Sequence, residues 1–387
     1  MDEIWTIKRC MEWTEGFLGR CGEERPRLAA EWLLGMATGF KRIDLYMNMD
    51  RPLSSQELAV MHDAAVRRRG GEPLQYILGE TSFRTIDVTC ERGVLIPRPE
   101  TEMLVELVLE YLDREILGPM QPALRRERVE LPWNAEVDQA RQEERARLAE
   151  EKRAAGAGEV PDAAGGEPGA AAEAEDNGPA AEMLETDDAG AAEAPSDVQD
   201  AEGNGGVGHV RRARVLEVGC GTGCISLSIA SERAGRVLCV ATDIDAHAVG
   251  LARRNRERLG ISPDKVDIRQ GDLTAPVTAD ELGTFDVLVS NPPYIPSRVM
   301  PTLPVEIRDF EPSLALDGGE DGLDIFRRLL SAAPRMLSPG GLLACELFED
   351  ALDAAAGLCR AAGMEDVRVA SDLARRPRFV LARMPRL

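Results

Sequence analysis

The chain lacks several things a 387-residue protein often has. It has no run of about 18 uncharged apolar residues, so no segment is expected to cross a membrane. Its first residues, Met1-Asp2-Glu3-Ile4, carry no basic stretch followed by an apolar one, so no signal peptide is expected. Histidine is nearly absent, and His62, His209 and His247 share no metal-like spacing, so no metal is expected. Positive charge is scarce too: 46 Lys and Arg face 68 Asp and Glu, for a formal net charge of −22. That balance excludes a protein whose main task is a non-specific grip on a phosphate backbone. Eight cysteines are present, but scattered through apolar stretches rather than at the regular spacing of a disulfide scaffold. Cys220 and Cys224 have no second ligand pair, so they read as small core residues. A cytoplasmic, soluble protein is the expectation.

What is there divides unevenly. A hydrophobic content of 44% supports a core, while 4% aromatics suggests that part of the chain adds nothing to packing. Between Gly156 and Gly206 there are 14 acidic residues, no Lys or Arg, and a surplus of Ala, Gly and Pro. This tract carries −14 of the −22 and is expected to stay disordered, because it cannot offset an ordering cost of about 1–2 kcal/mol per residue. Before it, residues 138–155 read as a solvated helix. The expected divisions are a helical bundle over 1–80, a β-hairpin connector over 81–97 and a helix over 98–117. An acidic insertion over 118–211 and an α/β domain over 212–387 follow. In the connector, Phe83, Ile86, Val88 and Val94-Leu95-Ile96 flank a turn placed at Glu91-Arg92-Gly93. Ser54 with Glu57 resembles a capping box, and Pro99 suits the first turn of a helix. Short apolar runs at 214–218, 237–242, 285–290 and 341–346, with a weaker one at 266–270, alternate with helix-like segments and predict a mostly parallel sheet.

Three constellations carry chemistry. A strand leads into Gly219-Cys220-Gly221-Thr222-Gly223 and then a helix, a pattern that brings a ligand close to the main chain and a helix N-terminus. Twenty residues on, the next strand ends at Asp243, where a carboxylate accepts from both hydroxyls of a ribose. Together they favour an adenosine-bearing cofactor over a plain tight turn. At the next strand end, Asp272 is a candidate acceptor for an exocyclic amine and Leu273 a candidate face for adenine, with an ordinary turn as the alternative.

The third is Asn291-Pro292-Pro293-Tyr294, directly after an apolar strand. The prolines fix the backbone and leave its carbonyls without neighbouring donors. The Asn291 amide oxygen and the Pro292 carbonyl are two acceptors converging on one –NH2 group, and Tyr294 adds a flat face. A planar, conjugated nitrogen is a poor nucleophile. Fixed acceptors favour its pyramidal form and free the lone pair to attack an electrophilic methyl, so positioning and electrostatics carry the catalysis.

These motifs together resemble class I S-adenosyl-L-methionine-dependent methyltransferases. More narrowly, the chain resembles the peptide chain release factor N5-glutamine methyltransferase family. The closer match lies in Glu72 to Gly79, Leu95 to Glu102, and Glu306 through Leu316 with Gly319, Gly322 and Leu323. It covers about 1–113 and 212–387. The resemblance implies an α/β, Rossmann-like, mostly parallel seven-stranded sheet with a small N-terminal helical bundle that docks the substrate protein. It implies S-adenosyl-L-methionine as cofactor, held by Gly219, Cys220, Gly221, Thr222, Gly223, Asp243, Asp272, Leu273 and Asn291. It implies that Asn291, Pro292, Pro293 and Tyr294 bind the substrate amide and are catalytic. The substrate would be the glutamine of a release factor Gly-Gly-Gln loop, with the enzyme a monomer that binds no nucleic acid directly. A ribosomal-protein glutamine and an adenine N6 amine are alternative acceptors, since each presents the same planar nitrogen. Two positions depart from the family pattern: Phe348 stands for a glycine and Ala351 for a glutamine. If the helix from Glu100 runs antiparallel to the strand from Arg214, the insertion leaves the domain far from the chemistry.

Overall fold

The computed structural model describes residues 4–118 and 211–386. The acidic tract, the helix expected over 138–155 and His209 lie outside the described residues. The described residues belong to one of two units into which the chain divides, Met1–Met120 with His209–Leu387.

Five helices open the chain: α1 (Ile7–Arg20), α2 (Pro26–Thr38), α3 (Arg42–Met47), α4 (Ser55–Arg69) and α5 (Leu74–Leu78). They close around Ile7, Met11, Leu18, Leu33, Leu34 and Leu45, all fully buried. The box at the start of α4 forms as the sequence suggests: the Ser54 N–H donates to Glu57 Oε2 at 2.7 Å and the Glu57 N–H to Ser54 Oγ at 3.2 Å.

The connector corrects the expectation. Its strands are β1 (Glu80–Phe83) and β2 (Ile86–Thr89), so the hairpin turn lies at Arg84-Thr85. The turn expected at Glu91-Arg92-Gly93 does form, closed by the Val94 N–H donating to the Glu91 carbonyl at 3.2 Å, but it belongs to the loop after β2. Arg84 takes φ +53, which a tight two-residue turn needs and which no glycine advertises. Val94 and Ile96 are not strand residues. Val94 packs on Ala248 and Leu251, and Ile96 on Tyr76 and Cys90, so residues 90–98 form a loop pinned from both sides.

Helix α6 (Pro99–Leu112) follows and leads into a wider turn, Asp113–Leu117. After the segment outside the described residues come β3 (Ala213–Val218), α7 (Cys224–Glu232), β4 (Val237–Asp243), α8 (Ala246–Arg258), β5 (Val266–Gln270) and β6 (Phe285–Ser290). Then come α9 (Val305–Arg308), α10 (Asp324–Met336), β7 (Leu337–Glu346), α11 (Leu352–Ala361), β8 (Glu365–Ser371) and β9 (Pro377–Arg383). The sheet order is β5-β4-β3-β6-β7-β9-β8, with every pair from β5 to β7 parallel and β9 antiparallel to both its neighbours. The chain thus forms the expected α/β, mostly parallel seven-stranded sheet beside an N-terminal helical region. Apolar cores cover both faces, which is why β3 and β6 read as continuous apolar runs rather than alternating ones. β8 carries no apolar run because it is an exposed edge of mixed residues. β9, buried over Phe379 to Ala382, is an apolar run that stands outside the strands expected from sequence.

The order reverses between β3 and β6, and in open α/β sheets a ligand cleft opens at the carboxyl ends of the strands on either side of such a point. The described ends of the insertion lie at the other edge. The Leu117 carbonyl accepts from Arg236 just before β4, and Arg211 pairs with Asp286 at the start of β6. The antiparallel course expected of α6 therefore holds.

Candidate active site

The cleft at the carboxyl edge is lined by the 93–98 loop and Thr101, by residues 217–222 and 242–245, and by Asp272, Leu273 and Ser290 to Pro293. Of the residues singled out from sequence, Gly219, Cys220, Gly221, Thr222, Asp243, Asp272, Leu273, Asn291, Pro292 and Pro293 line it. Gly223 and Tyr294 do not.

Gly219 and Gly221 have φ of +74° and +54°, conformations that side chains rarely adopt. No protein atom lies within 4 Å of where a Gly219 Cβ would be, so the loop offers bare backbone to the cleft. Gly223 serves packing instead. It caps α7, and a Cβ there would lie 3.1 Å from Leu227 and 3.2 Å from Ala252. Asp243 ties the loop to β4, accepting from the Gly221 N–H at 2.8 Å and the Asp245 N–H at 3.0 Å. Burial pushes its carboxyl pKa up, while those backbone donors hold it down. A carboxylate has about four acceptor positions, so two remain for a ligand.

Asp272 is already engaged by Arg328 at 2.6 Å. Leu273 sits at φ +48, a strained conformation costing roughly 1–2 kcal/mol, and its carbonyl accepts from Thr242 Oγ1 at 2.8 Å. The strain keeps an apolar side chain at the cleft wall.

Two further lining residues, Glu217 and Thr101, are not among the candidates from sequence and shape the site. Glu217, just before the glycine loop, is buried; one carboxylate oxygen accepts from the Ser226 N–H at 2.9 Å and the other has no protein partner. Burial raises its pKa to about 8. The second is Thr101. Asn291 Nδ2 donates to Thr101 Oγ1 at 3.1 Å, and Thr101 Oγ1 donates to Glu346 Oε2 at 2.8 Å. The Tyr294 hydroxyl donates to Glu346 Oε1 at 3.3 Å, so the tyrosine is turned to the carboxyl end of β7 rather than into the cleft. Ser290 Oγ, one residue earlier, donates to the Val218 carbonyl at 2.6 Å and locks the ends of β6 and β3 together.

The proline segment is also clamped from outside. A Cβ on Gly318 would lie 2.7 Å from Tyr294 Cα, and one on Gly322, at φ +79, 2.3 Å from the Tyr294 carbonyl oxygen. Gly322→Ala is therefore expected to cost about 2–4 kcal/mol and to lower the thermal midpoint by several degrees. Gly357→Ala, on an exposed helix face with nothing within 4 Å, should raise it slightly. Equal midpoints for the two variants in calorimetry would refute the clamp.

The acidic loop beyond is not a free cluster. Glu306 pairs with Arg68 at 2.7 Å and Asp309 with Arg308 at 2.7 Å, while Glu311 is buried against Arg98 at 2.5 Å. Asp309 is exposed to solvent, whereas Glu311 is buried. Among the described residues no group of three or more His, Cys, Asp or Glu is placed to hold a metal ion, and no helix is long and apolar enough to cross a membrane.

The profile of the PrmC N-terminal domain matches residues 10–79, and that of the methyltransferase small domain matches residues 207–302. The release factor glutamine methyltransferase of Geobacter sulfurreducens is 32% identical over 370 residues, spanning 96% of this chain and 94% of that protein. The protein of the same name from Moorella thermoacetica is 32% identical over 362 residues, spanning 93% and 92%. That from Chlorobaculum tepidum is 29% identical over 350 residues, spanning 90% and 87%.

Proposed function

The chain belongs to the release factor glutamine methyltransferase family, and from that premise we propose how its cleft performs the reaction. The protein is an enzyme that methylates a release factor glutamine in an S-adenosyl-L-methionine-dependent reaction. In our reading the acceptor is the side-chain amide of the Gly-Gly-Gln loop, and the enzyme works as a cytoplasmic monomer that does not bind nucleic acid directly.

The lining residues suit the cofactor. Gly219 and Gly221 leave a backbone cradle, Asp243 keeps acceptor positions for two ribose hydroxyls, and Leu273 offers an apolar wall. The partnerless Glu217 oxygen, on a carboxyl that burial keeps largely protonated at neutral pH, offers a polar group to a ligand. Cys220, Thr222, Asp272 and Asn291 complete the set we assign to cofactor binding, while Gly223, expected among them from sequence, turns the loop into α7. When bound, S-adenosyl-L-methionine supplies an electrophilic methyl group on a sulfonium.

The chain's own contribution is positional. An amide nitrogen is planar because its lone pair is delocalised, and the 18–20 kcal/mol barrier to rotation about that bond measures the effect. The Asn291 Oδ1 and the Pro292 carbonyl would accept the two N–H bonds of the substrate and hold them out of the amide plane. Pro293 stiffens the segment and Tyr294 anchors it to Glu346. The nitrogen becomes acidic only as its lone pair is committed, so no strong base is needed beforehand. The observation that carries this reading is the Asn291 amide held by its nitrogen, which leaves its oxygen for the substrate.

A labelled-methyl transfer assay with a release factor, its Gly-Gly-Ala variant and duplex DNA in parallel tests it. Label is expected on the wild-type factor alone. Label on the Gly-Gly-Ala variant would move the site, and label on DNA alone would replace the substrate class with the adenine N6 amine.

A further inference from the structure

We propose that Glu346 is a positioning residue for this reaction, acting through the Thr101 hydroxyl to decide which end of the Asn291 amide faces the substrate. The inference deepens the reading above and rests on it.

Thr101 Oγ1 has one proton and two lone pairs. It lies 2.8 Å from Glu346 Oε2 and 3.1 Å from Asn291 Nδ2. An ionised carboxylate only accepts, so it takes the hydroxyl proton. The hydroxyl must then offer a lone pair to Asn291, and the amide must answer with nitrogen. Oδ1 is thereby left for the substrate. A protonated Glu346 removes the constraint, because it can itself donate to Thr101. The hydroxyl proton is then free to turn to Asn291 and favour the amide's reversed orientation. Reversed, Asn291 presents N–H groups to the N–H groups of the substrate amide, which is repulsive.

Glu346 is built for this control. It sits at the carboxyl end of β7, 1% exposed, with each carboxylate oxygen holding one partner. From α6 it is faced by Thr101 and Glu100, from the proline segment by Tyr294, and from β9 by Arg378. Arg98 adds its charge near the Tyr294 hydroxyl. Burial raises the carboxyl pKa to about 7, with Glu100 adding to the rise and Thr101, Arg378 and Tyr294 opposing it. The working form is the ionised one, so turnover should decline as pH falls through about 7 and level off above it.

In Glu346→Gln the side chain can donate as readily as accept, and kcat should fall about 10–100-fold while KM for the release factor and for S-adenosyl-L-methionine stays within about threefold. The limb near pH 7 should vanish. Glu346→Asp should recover part of the rate together with the limb. Thr101→Val should reproduce the loss, and Thr101→Ser should recover most of it, which keeps the test open if Glu346→Gln does not fold. A readout free of substrate is the side-chain amide resonance of Asn291 in the full chain. It should shift with a midpoint near 7 in the wild type and not in Glu346→Gln. Unchanged kcat in folded Glu346→Gln, a persisting limb in that variant, or an Asn291 resonance that ignores pH would each overturn the proposal. A wild-type enzyme that leaves the release factor unlabelled but shows the Asn291 titration would instead overturn the substrate reading.

Discussion

Asn291→Ala lowers kcat by about 10²–10³-fold while the chain stays folded and its S-adenosyl-L-methionine affinity changes less than tenfold. The size follows from losing one of two preorganised acceptors in a cleft where the reaction needs no other rearrangement. Pro292 keeps its carbonyl, so the substrate amide retains one directed hydrogen bond and can rotate about it. Stability should change by only about 1 kcal/mol, the usual net worth of one hydrogen bond, because Thr101 keeps its stronger partner in Glu346. Asn291→Asp separates shape from polarity. It keeps an acceptor but loses the donor to Thr101, setting two carboxylates about one hydroxyl, and should be nearly as inactive. Single-turnover methyl transfer at saturating cofactor reads the effect directly, and a loss below tenfold would remove Asn291 from the reaction.

Asp243→Ala has its large effect elsewhere, in cofactor binding. Hydrogen bonds to charged groups contribute about 1.5–3 kcal/mol, and this carboxylate, which we propose takes the ribose, also holds the Gly221 and Asp245 amides. Affinity for S-adenosyl-L-methionine should fall about 10²-fold, with kcat at saturation much less affected. Asp243→Asn should fall between, because a single amide oxygen cannot serve every donor that the carboxylate does. Because burial raises the Asp243 pKa, wild-type affinity should weaken on acidification sooner than an ordinary aspartate would allow. Calorimetric titration at two pH values checks both statements. Undiminished affinity in Asp243→Ala would leave the glycine loop as the whole of the site.

These two residues were legible in the sequence because each sits where a strand stops, in a short segment whose residue types have few other uses. Glycines at 219, 221 and 223 after an apolar run, and two prolines after Asn291, are local patterns. What escaped was of two kinds. The connector turn was misplaced because Arg84 takes a positive φ without the glycine or asparagine that normally signals one, while Gly93 signalled a turn that belongs to a loop. β8 escaped because an exposed edge strand needs no alternating apolar face. The second kind is non-local. Thr101 and Glu346 are 245 positions apart, and nothing in either neighbourhood announces that α6 will bring a hydroxyl against the end of β7. Gly318 likewise matters only through the backbone that crosses it. Asp243 and Asn291 stand in local patterns that mark them, whereas Thr101 and Glu346, which hold Asn291 in place, do not.

The placement of Leu117 and Arg211 bears on where this chain can take an addition. Both are fastened to the amino edge of the sheet, Leu117 through Arg236 and Arg211 through Asp286, while the cleft lies at the carboxyl edge. The acidic composition between them therefore enters at a junction from which no cleft-lining backbone departs. That junction is a natural point at which to graft a label or a second domain onto a working methyltransferase, because its two described ends lie across the sheet from the cleft.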